Sequence, residues 1–136
     1  MSTRKDLEKK RDDLYRKLAA LGDFRPGTVS EIFRRCGKKN CACARKGHPG
    51  HGPQYKWTFK VKGKTISRTL HPGPELWKFM EETDRYREFK RLCKELIEVN
   101  EQLCDLRPVP VITDEQELDN LKKKLRERFR RRSRKK

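Results

Sequence analysis

The chain has 136 residues, of which 32% are hydrophobic and 42% are charged, and its net charge is +17. This composition excludes a large hydrophobic core and favours one small domain that needs a further stabilising element, such as a metal or paired helices. An apolar leader and a membrane-spanning run are both absent, so we expect no membrane partner and a reducing, cytoplasmic location. Five cysteines, an odd number, also argue against a complete disulfide framework.

The positive charge is concentrated in two blocks. Residues 32–74 contain eleven Lys and Arg and no Asp or Glu, and residues 122–136 contain eleven basic residues and one acidic residue. Residues 75–112, in contrast, contain seven basic and nine acidic residues. Clustered charge at a pI near 10.0 is typical of proteins that bind a polyanion. We therefore predict a nucleic-acid partner, and a solvated, charge-rich surface is the alternative.

The first predicted element is a helix over residues 3–21, followed by a turn and a short strand. Four leucines lie at helical spacing on one side of the helix: Leu7, Leu14, Leu18 and Leu21. Gly22 stands where a C-terminal cap is expected, and residues 23–27 read as a turn. Residues 28–34 have the alternation of a short strand.

A loop rich in Gly and Pro follows, and it contains a concentration of thiols and imidazoles. The spacing is Cys36-x4-Cys41-x-Cys43, with His48 and His51 after it. Zinc prefers tetrahedral thiolate and imidazole ligands and folds small loops that have no core. We predict a structural Zn²⁺ here; free or reactive thiols and a disulfide between two of the cysteines are the alternatives.

The fourth ligand is chosen between two histidines. His51 lies between Gly50 and Gly52-Pro53, immediately before the next strand, and we favour it over His48. A catalytic zinc needs an open position and usually a nearby carboxylate base. Because residues 32–74 contain no Asp or Glu, we predict a structural metal and no enzymatic activity.

Residues 54–70 are predicted to form a β-hairpin with Gly63 in its turn. Tyr55, Trp57 and Phe59 alternate with polar residues, so they share one face. With either Lys62-Gly63 or Gly63-Lys64 at the tip, Ile66, Arg68 and Leu70 fall on the same face. The aromatic face either packs on the helices or stacks on unpaired bases.

A long helix is predicted from Glu75 to Leu106. A seam with alternating steps of three and four follows Tyr86, Phe89, Cys93, Leu96, Asn100 and Leu103. The N-terminal helix is its expected antiparallel partner, and Asn100 would set the register of that pair. Cys93 and Cys104 lie near the same side and are interpreted as small buried core residues.

The chain is predicted to end in a linker and a basic helix. Residues 1–106 form one domain, residues 107–113 form a linker with Pro108 and Pro110, and residues 114–136 form a basic amphipathic helix and tail. Residues 113–116 read as a capping box. The apolar side of this helix carries Leu118, Leu121, Leu125 and Phe129, and the final basic run is expected to be disordered.

The predicted architecture is therefore α+β: an antiparallel pair of helices with a zinc-stabilised loop and a small β-hairpin between them, plus the C-terminal basic helix.

The cysteine loop resembles a small prokaryotic domain of unknown function. The resemblance is carried by three motifs followed by an aromatic strand: Arg35-Cys36-Gly37-Lys38, Asn40-Cys41-x-Cys43 and Gly50-His51-Gly52-Pro53. That domain occurs in mobile-element or transposase-like contexts. The resemblance covers about residues 5–105 and implies Cys36, Cys41, Cys43 and His51 as its recurrent positions. The chain departs from it at residues 54–57, where consecutive tyrosines are usual, and in the added helix after residue 113.

These observations lead to a non-enzymatic, zinc-stabilised nucleic-acid-binding protein, an accessory or regulatory factor of a mobile element. The alternative is a protein–protein adaptor that acts through its helical hairpin, with a homodimer or a partner protein bound there. Charge alone does not distinguish DNA from RNA. The predicted nucleic-acid contacts are Arg34, Arg35, Lys38, Lys39, Arg45 and Lys46 on the loop; Lys56, Lys60, Lys62, Lys64 and Arg68 on the hairpin; and Lys122, Lys123, Arg126, Arg130 and Arg131 on the last helix.

Overall fold

The structure is a computed structural model that describes residues 3–134. Its elements are α1 (Arg4–Ala19), β1 (Thr28–Arg34), a 3-10 turn (Ala42–Ala44), β2 (His51–Val61), β3 (Lys64–Leu70), α2 (Pro74–Leu106) and α3 (Glu115–Arg134). The predicted α+β class is confirmed, with three helices and one antiparallel sheet. The chain divides into two compact units, one that ends at Leu103 and one that begins at Cys104. Within residues 3–134, no helix combines the length and the apolar character needed to cross a membrane.

Helix α1 begins with a capping box. The Thr3 hydroxyl accepts a hydrogen bond from Asp6 N–H at 3.2 Å, and the Asp6 carboxylate accepts one from Thr3 N–H at 3.3 Å. Each bond satisfies an amide that has no partner within the helix. The helix ends at Ala19, two residues earlier than predicted, and it buries Leu7 and Leu14.

The main core joins leucines of α1 to aliphatic residues of α2. It contains Leu7, Leu14, Leu92, Val99 and Leu103, each at most 5% exposed. Leu18 and Leu96 pack against this cluster. Burying such side chains is the main favourable contribution to the stability of a small domain.

The predicted seam of α2 is wrong by one residue at two positions, while its members Leu96 and Leu103 do contact the core. Leu92 and Val99 are buried, whereas Cys93 and Asn100 are only half-buried. Both series follow steps of three and four, but the observed series places larger aliphatic side chains in the core. Asn100 does not enter that core; its Nδ2 donates to the Leu96 carbonyl of its own helix at 2.9 Å. Phe89 stacks on Phe24 instead, with ring centroids 4.7 Å apart.

The interpretation of the two helical cysteines also needs correction. Cys104 is exposed and Cys93 is half-buried, so neither is the fully buried core residue that was expected. Leu103 is in the core, whereas the adjacent residues Gln102 and Cys104 are exposed. The buried side of α2 is therefore too narrow to include Cys93 and Cys104 together with the core residues.

The sheet has three strands in the order β1-β2-β3, which confirms both the predicted strand over residues 28–34 and the predicted hairpin. Of the two predicted turns the structure has Lys62-Gly63, and the predicted faces are confirmed, since Trp57 lies opposite Arg68 and Phe59 lies opposite Ile66. Both turn residues have positive φ, which a tight two-residue hairpin requires. β1 adds to the other edge of β2, with Val29 opposite Trp57. Because β2 starts at His51, residues 51–53 belong to the strand and not to the loop.

The aromatic face of the sheet packs against the first turns of α2. The Trp57 ring meets the buried Phe79 ring edge-on at 5.3 Å, and the Arg25 guanidinium lies 3.7 Å from the Phe79 centroid. Arg25 Nε also pairs with Glu82 Oε1 at 2.8 Å. A hydrogen bond from Lys78, together with the Arg25 charge, holds the pKa of Glu82 below its usual value despite burial. This contact fastens the 23–27 turn to α2.

We predict that Gly27→Ala destabilises the protein markedly more than Gly63→Ala. Both glycines have positive φ, +110° and +81°, so both substitutions strain the backbone. A Cβ on Gly27 would also lie 2.4 Å from Trp57 Nε1 and 2.6 Å from the Thr58 carbonyl oxygen, whereas a Cβ on Gly63 would meet nothing within 4 Å. Chemical denaturation should show an extra loss of about 1–3 kcal/mol for Gly27→Ala. Equal losses would contradict the close contact.

The second unit contains α3, which begins one residue later than the capping box predicted. Asp114, not Thr113, is the N-cap, because its Oδ1 accepts a hydrogen bond from Gln116 N–H at 3.1 Å. The helix continues to Arg134, so the basic run assigned to a disordered tail is helical over the part that the structure describes. Residues 135 and 136 lie outside the described residues. The apolar side of α3 is exposed at Leu118, Leu121, Leu125 and Phe129.

Candidate metal centre and nucleic-acid interface

The cysteine loop is closed at its base by the sheet. β1 ends at Arg34 and β2 starts at His51, and these two residues are paired across the strands. The intervening chain therefore leaves and re-enters the sheet at neighbouring positions. Within this loop only Cys43 and Gly50 are buried, so the loop has no hydrophobic core of its own.

Arg35 ties the two halves of the loop together. Its Nη1 donates to the Cys43 carbonyl at 3.0 Å, and its Nη2 donates to the His48 carbonyl at 2.9 Å. The planar guanidinium is suited to such a pair of bonds, since its donors are held in a fixed geometry. Arg35 was predicted as a nucleic-acid contact, but the structure engages its guanidinium within the loop.

Four side chains from the loop and the start of β2 meet at one point. The Sγ atoms of Cys36, Cys41 and Cys43 and a ring nitrogen of His51 all lie within 4.8 Å of one another. Cys36 Sγ is 3.5 Å from Cys43 Sγ, and Cys41 Sγ is 3.0 Å from His51 Nε2. These four residues therefore lie close enough to hold a metal ion.

The donor set fits a tetrahedral zinc site. Zn–S bonds of about 2.3 Å and Zn–N bonds of about 2.0 Å place neighbouring ligand atoms roughly 3.5–3.8 Å apart. The observed separations of 3.0 and 3.5 Å are near that range, so small side-chain movements would centre an ion. Cys36 N–H also points to Cys43 Sγ at 3.4 Å, which satisfies a lone pair of that sulfur. Three sulfurs and one imidazole form a ligand set that favours zinc over hard cations.

The local environment makes one thiol acidic. Hydrogen bonds from the Lys38 backbone N–H, from His51 and from Cys43 lower the pKa of Cys36 to about 6. The pKa of Cys43 is raised: the Cys36 N–H bond lowers it, but burial and the neighbouring thiols of Cys36 and Cys41 outweigh that bond. A thiolate at Cys36 is the form that binds a metal.

His48, the alternative ligand, lies outside the group of four. Its Nδ1 accepts a hydrogen bond from Gly50 N–H at 2.9 Å, which shapes the tight turn before His51. Among the described residues, the group that could hold a metal contains His51 and the three loop cysteines, and neither Cys93 nor Cys104 belongs to it.

The predicted nucleic-acid contacts fall into three different settings. The loop cations are exposed: Arg34, Lys38, Lys39, Arg45 and Lys46. Lys39 and Arg45 border a depression of about 400 Å³ that also contains Asn40 and Cys41. The contacts predicted on α3 are exposed as well: Lys122, Lys123, Arg126, Arg130 and Arg131.

On the hairpin, the cations do not share one face. Lys56 and Lys60 lie opposite Thr69 and Thr65, on the face away from the aromatic rings, while Lys62 is in the turn and Lys64 lies opposite Val61. Arg68 is on the aromatic face, 5.3 Å from the Phe79 ring centroid and 4.0 Å from Glu75. The Arg68 guanidinium therefore already interacts with groups of the fold, and its charge is partly compensated by Glu75. The structure thus confirms the predicted position of Arg68 on the aromatic face, and it divides the hairpin cations between the two faces.

Sequence reasoning missed two cations that the fold brings to the sheet. Arg87 and Lys90 belong to a stretch of α2 with more acidic than basic residues, so they were not part of either basic block. Both nevertheless line the same groove as Lys60 of β2. Their spacing of three residues places them on one side of a helix, which is the only signal that the sequence offers.

We predict that Arg35→Ala weakens metal binding about tenfold, whereas Arg45→Ala leaves it nearly unchanged. Residues that hold metal ligands from outside the coordination sphere typically contribute a factor of 10–100 to affinity. Arg35 holds the carbonyl of Cys43, while Arg45 is an exposed cation on the same loop. Competition of Co²⁺-loaded or Zn²⁺-loaded protein with a chromophoric chelator measures the difference. Equal metal affinities for the two variants would show that Arg35 does not support metal binding.

Comparison with known proteins adds a family match but no characterised relative. A family model described as "Domain of unknown function (DUF6788)" matches residues 4–76, which include α1, the sheet and the cysteine loop. Neither the curated proteins nor the solved structures include a significant match to the chain.

Proposed function

We propose that this chain, which belongs to the DUF6788 family, is a non-enzymatic nucleic-acid-binding protein whose cysteine loop is folded by a structural Zn²⁺. The ion would be held by Cys36, Cys41, Cys43 and His51, and it would supply rigidity to a loop that lacks a core. A mobile element, the setting that the family resemblance implies, would supply the nucleic acid to which such a factor binds.

The observation that carries this proposal is the surface of the loop. Residues 32–74 contain no acidic side chain, and exposed cations surround the four residues of the candidate metal site. Fixed positive groups on a small rigid loop can follow the phosphates of a nucleic acid. Phosphate contacts carry no base information, so this loop would position the protein on the nucleic acid without reading its sequence.

The basic side of α3 supports the same proposal. Its cations would add affinity for any nucleic acid through charge, with little selectivity between forms. Removing residues 122–136 should therefore weaken binding to duplex and single strand alike.

The experiment compares two triple variants that remove the same charge. The loop variant replaces three exposed loop cations with alanine: Lys38, Lys39 and Arg45. The control variant replaces three exposed lysines of α1 with alanine: Lys5, Lys9 and Lys17. Affinity is measured against salt concentration for duplex DNA, single-stranded DNA and structured RNA. The loop variant should bind more weakly than the parent. On duplex DNA, the slope of log affinity against log salt concentration should become shallower by about 0.9 for each phosphate contact that is lost. If the parent protein bound none of the three ligands, or if both variants behaved alike, the proposal would be wrong.

A second candidate function is a protein–protein adaptor, in which α1 and α2 form an antiparallel helical hairpin whose outer side receives a partner or a second copy. The observation that favours it is the exposure of Tyr15 on α1 and Ile97 on α2, at 52% and 58%. A contiguous exposed apolar patch is typical of a partner surface, and this function requires that the two side chains belong to one such patch. Light scattering of the parent and of Ile97→Lys tests the homodimer: a dimer that becomes monomeric in the variant supports it, and a monomeric parent removes it.

A further inference from the structure

We propose that a groove between the start of β1, the edge of β2 and the middle of α2 binds an unpaired nucleotide of a single-stranded nucleic acid. The inference rests on the proposed nucleic-acid-binding function and adds to it the form of the ligand and the place of contact. The groove, called here the β2–α2 groove, has a volume of about 440 Å³. It lies in the first compact unit.

The walls of the β2–α2 groove are fixed before any ligand binds. Trp57 Nε1 donates to the Pro26 carbonyl at 2.8 Å, which fastens the start of the groove to β2. Arg25 N–H donates to the Glu82 carbonyl at 3.2 Å, which fastens the same turn to α2. A site whose walls are held on both sides loses little conformational entropy on binding.

The edge of β2 is open where it borders the groove. The pairing of β1 with β2 starts at Thr28 opposite Thr58. Beyond Thr58, at Phe59 and Lys60, β2 has no strand neighbour on this side within the described part of the chain. A ligand can therefore approach the strand closely here, next to the hydroxyls of three lining threonines.

Three cations from two elements point to an anionic ligand. Lys60 of β2 and Arg87 and Lys90 of α2 line the groove, and no Asp or Glu is among its described lining residues. Arg87 also contacts Asp84 at 3.6 Å, but this pair is exposed, and such pairs contribute little. Three nearby cations without a lining carboxylate match the charge of a phosphodiester backbone.

Two aromatic rings in the same groove favour an unpaired strand over a duplex. Phe59 and Tyr86 line the groove, and each ring is held by a neighbouring ring: Phe59 stacks on Trp57 at 3.9 Å and Tyr86 lies 5.9 Å from Phe24. Lys90 Nζ lies 5.1 Å from the centroid of the Tyr86 ring. In a duplex the faces of the bases are covered by their neighbours, so an aromatic ring gains nothing from them. Proteins that bind single strands combine a basic groove with rings on which bases stack.

The test measures the affinity of the full chain for fluorescently labelled oligo(dT) and for a duplex of equal length. Tyr86→Leu should weaken oligo(dT) binding about tenfold, because stacking of one base is worth that much or more, and Tyr86→Phe should bind like the parent. Lys90→Ala should weaken oligo(dT) binding and reduce its salt dependence by about 0.7, the expected effect of one lost single-strand phosphate contact. Lys94→Ala, which removes the same charge one helical turn further along α2 and outside the groove lining, is the matched control.

A second measurement does not depend on the folding of variants. Photo-crosslinking of the parent protein to oligo(5-bromodeoxyuridine), followed by peptide mapping, should place crosslinks in residues 58–60 or 86–90. Competition with free dTMP distinguishes a strand from a free nucleotide: the oligonucleotide should bind far more tightly, since it also reaches loop cations.

The outcomes separate the two proposals. If the parent binds nucleic acid but Tyr86→Leu and Lys90→Ala bind oligo(dT) as Lys94→Ala does, the groove inference is wrong and the proposed function stands. Crosslinks confined to residues 122–134, or dTMP that binds as tightly as oligo(dT), would also overturn the inference. If the parent binds neither oligo(dT) nor duplex, both proposals fail.

Discussion

Cys41→Ser should abolish stoichiometric metal binding and unfold the loop between Arg34 and His51. Cys41 Sγ lies 3.0 Å from His51 Nε2, so it is the donor that joins the loop to the start of β2. A serine hydroxyl is not a thiolate and is a poor zinc ligand. Structural zinc contributes roughly 10–16 kcal/mol to the folding of small zinc-finger peptides, and this loop buries only Cys43 and Gly50 to replace it.

The measurement is elemental analysis of freshly purified protein, together with amide hydrogen exchange over residues 36–50. The parent should hold one zinc per chain and protect the loop amides, and Cys41→Ser should do neither. Cys93→Ser is the matched control, because Cys93 is a half-buried thiol of α2 outside the group of four. A parent that contains no zinc, or a Cys41→Ser variant that keeps it, would refute the metal assignment.

Leu92→Ala should lower the free energy of unfolding by about 3 kcal/mol. Leu92 is 1% exposed and lies in the cluster with Leu14 and Val99. The substitution removes buried apolar surface and leaves a cavity that a small core has little capacity to fill. Since a domain of this size is stable by about 5–15 kcal/mol, the loss is a large share of the total.

Denaturant unfolding of three variants decides which side of α2 faces the core. Ile97→Ala, at a position 58% exposed on the same helix, should change stability by less than about 0.5 kcal/mol. Cys93→Ala should fall between the two, because Cys93 is only half-buried. If Cys93→Ala lowered the free energy of unfolding more than Leu92→Ala does, Cys93 would face the core, as the sequence predicted.

Much of the local structure follows from the sequence alone. The alternation of Tyr55, Trp57 and Phe59 with polar residues, and a turn at Gly63, determine which side chains of the hairpin share a face, because the period of two and the turn are properties of adjacent residues. The short spacing of Cys36, Cys41 and Cys43 keeps three thiols within reach of one point before any tertiary contact forms. The α+β class follows from these periodicities and from the two helical segments on either side.

Other features were decided only when distant segments met. Two stripes with the same spacing lie side by side on α2, and contact with Leu7 and Leu14 of α1 decided that Leu92 and Val99 are buried. The sequence contains both stripes and cannot choose between them, since the choice depends on the volume of side chains packed from another helix.

The roles of the charged residues depended even more on tertiary structure. Arg35 reads as one cation among many, but the return of the chain to β2 places two carbonyls within reach of its guanidinium. Lys60 and Lys90 are thirty residues apart in sequence and line one groove only because α2 folds back across the sheet. The physical reason is that a charge acts over distances in space, whereas periodicity along the chain reports only near neighbours. The sequence thus determined which residues are basic, thiol or aromatic, and the tertiary structure decided what each of them faces.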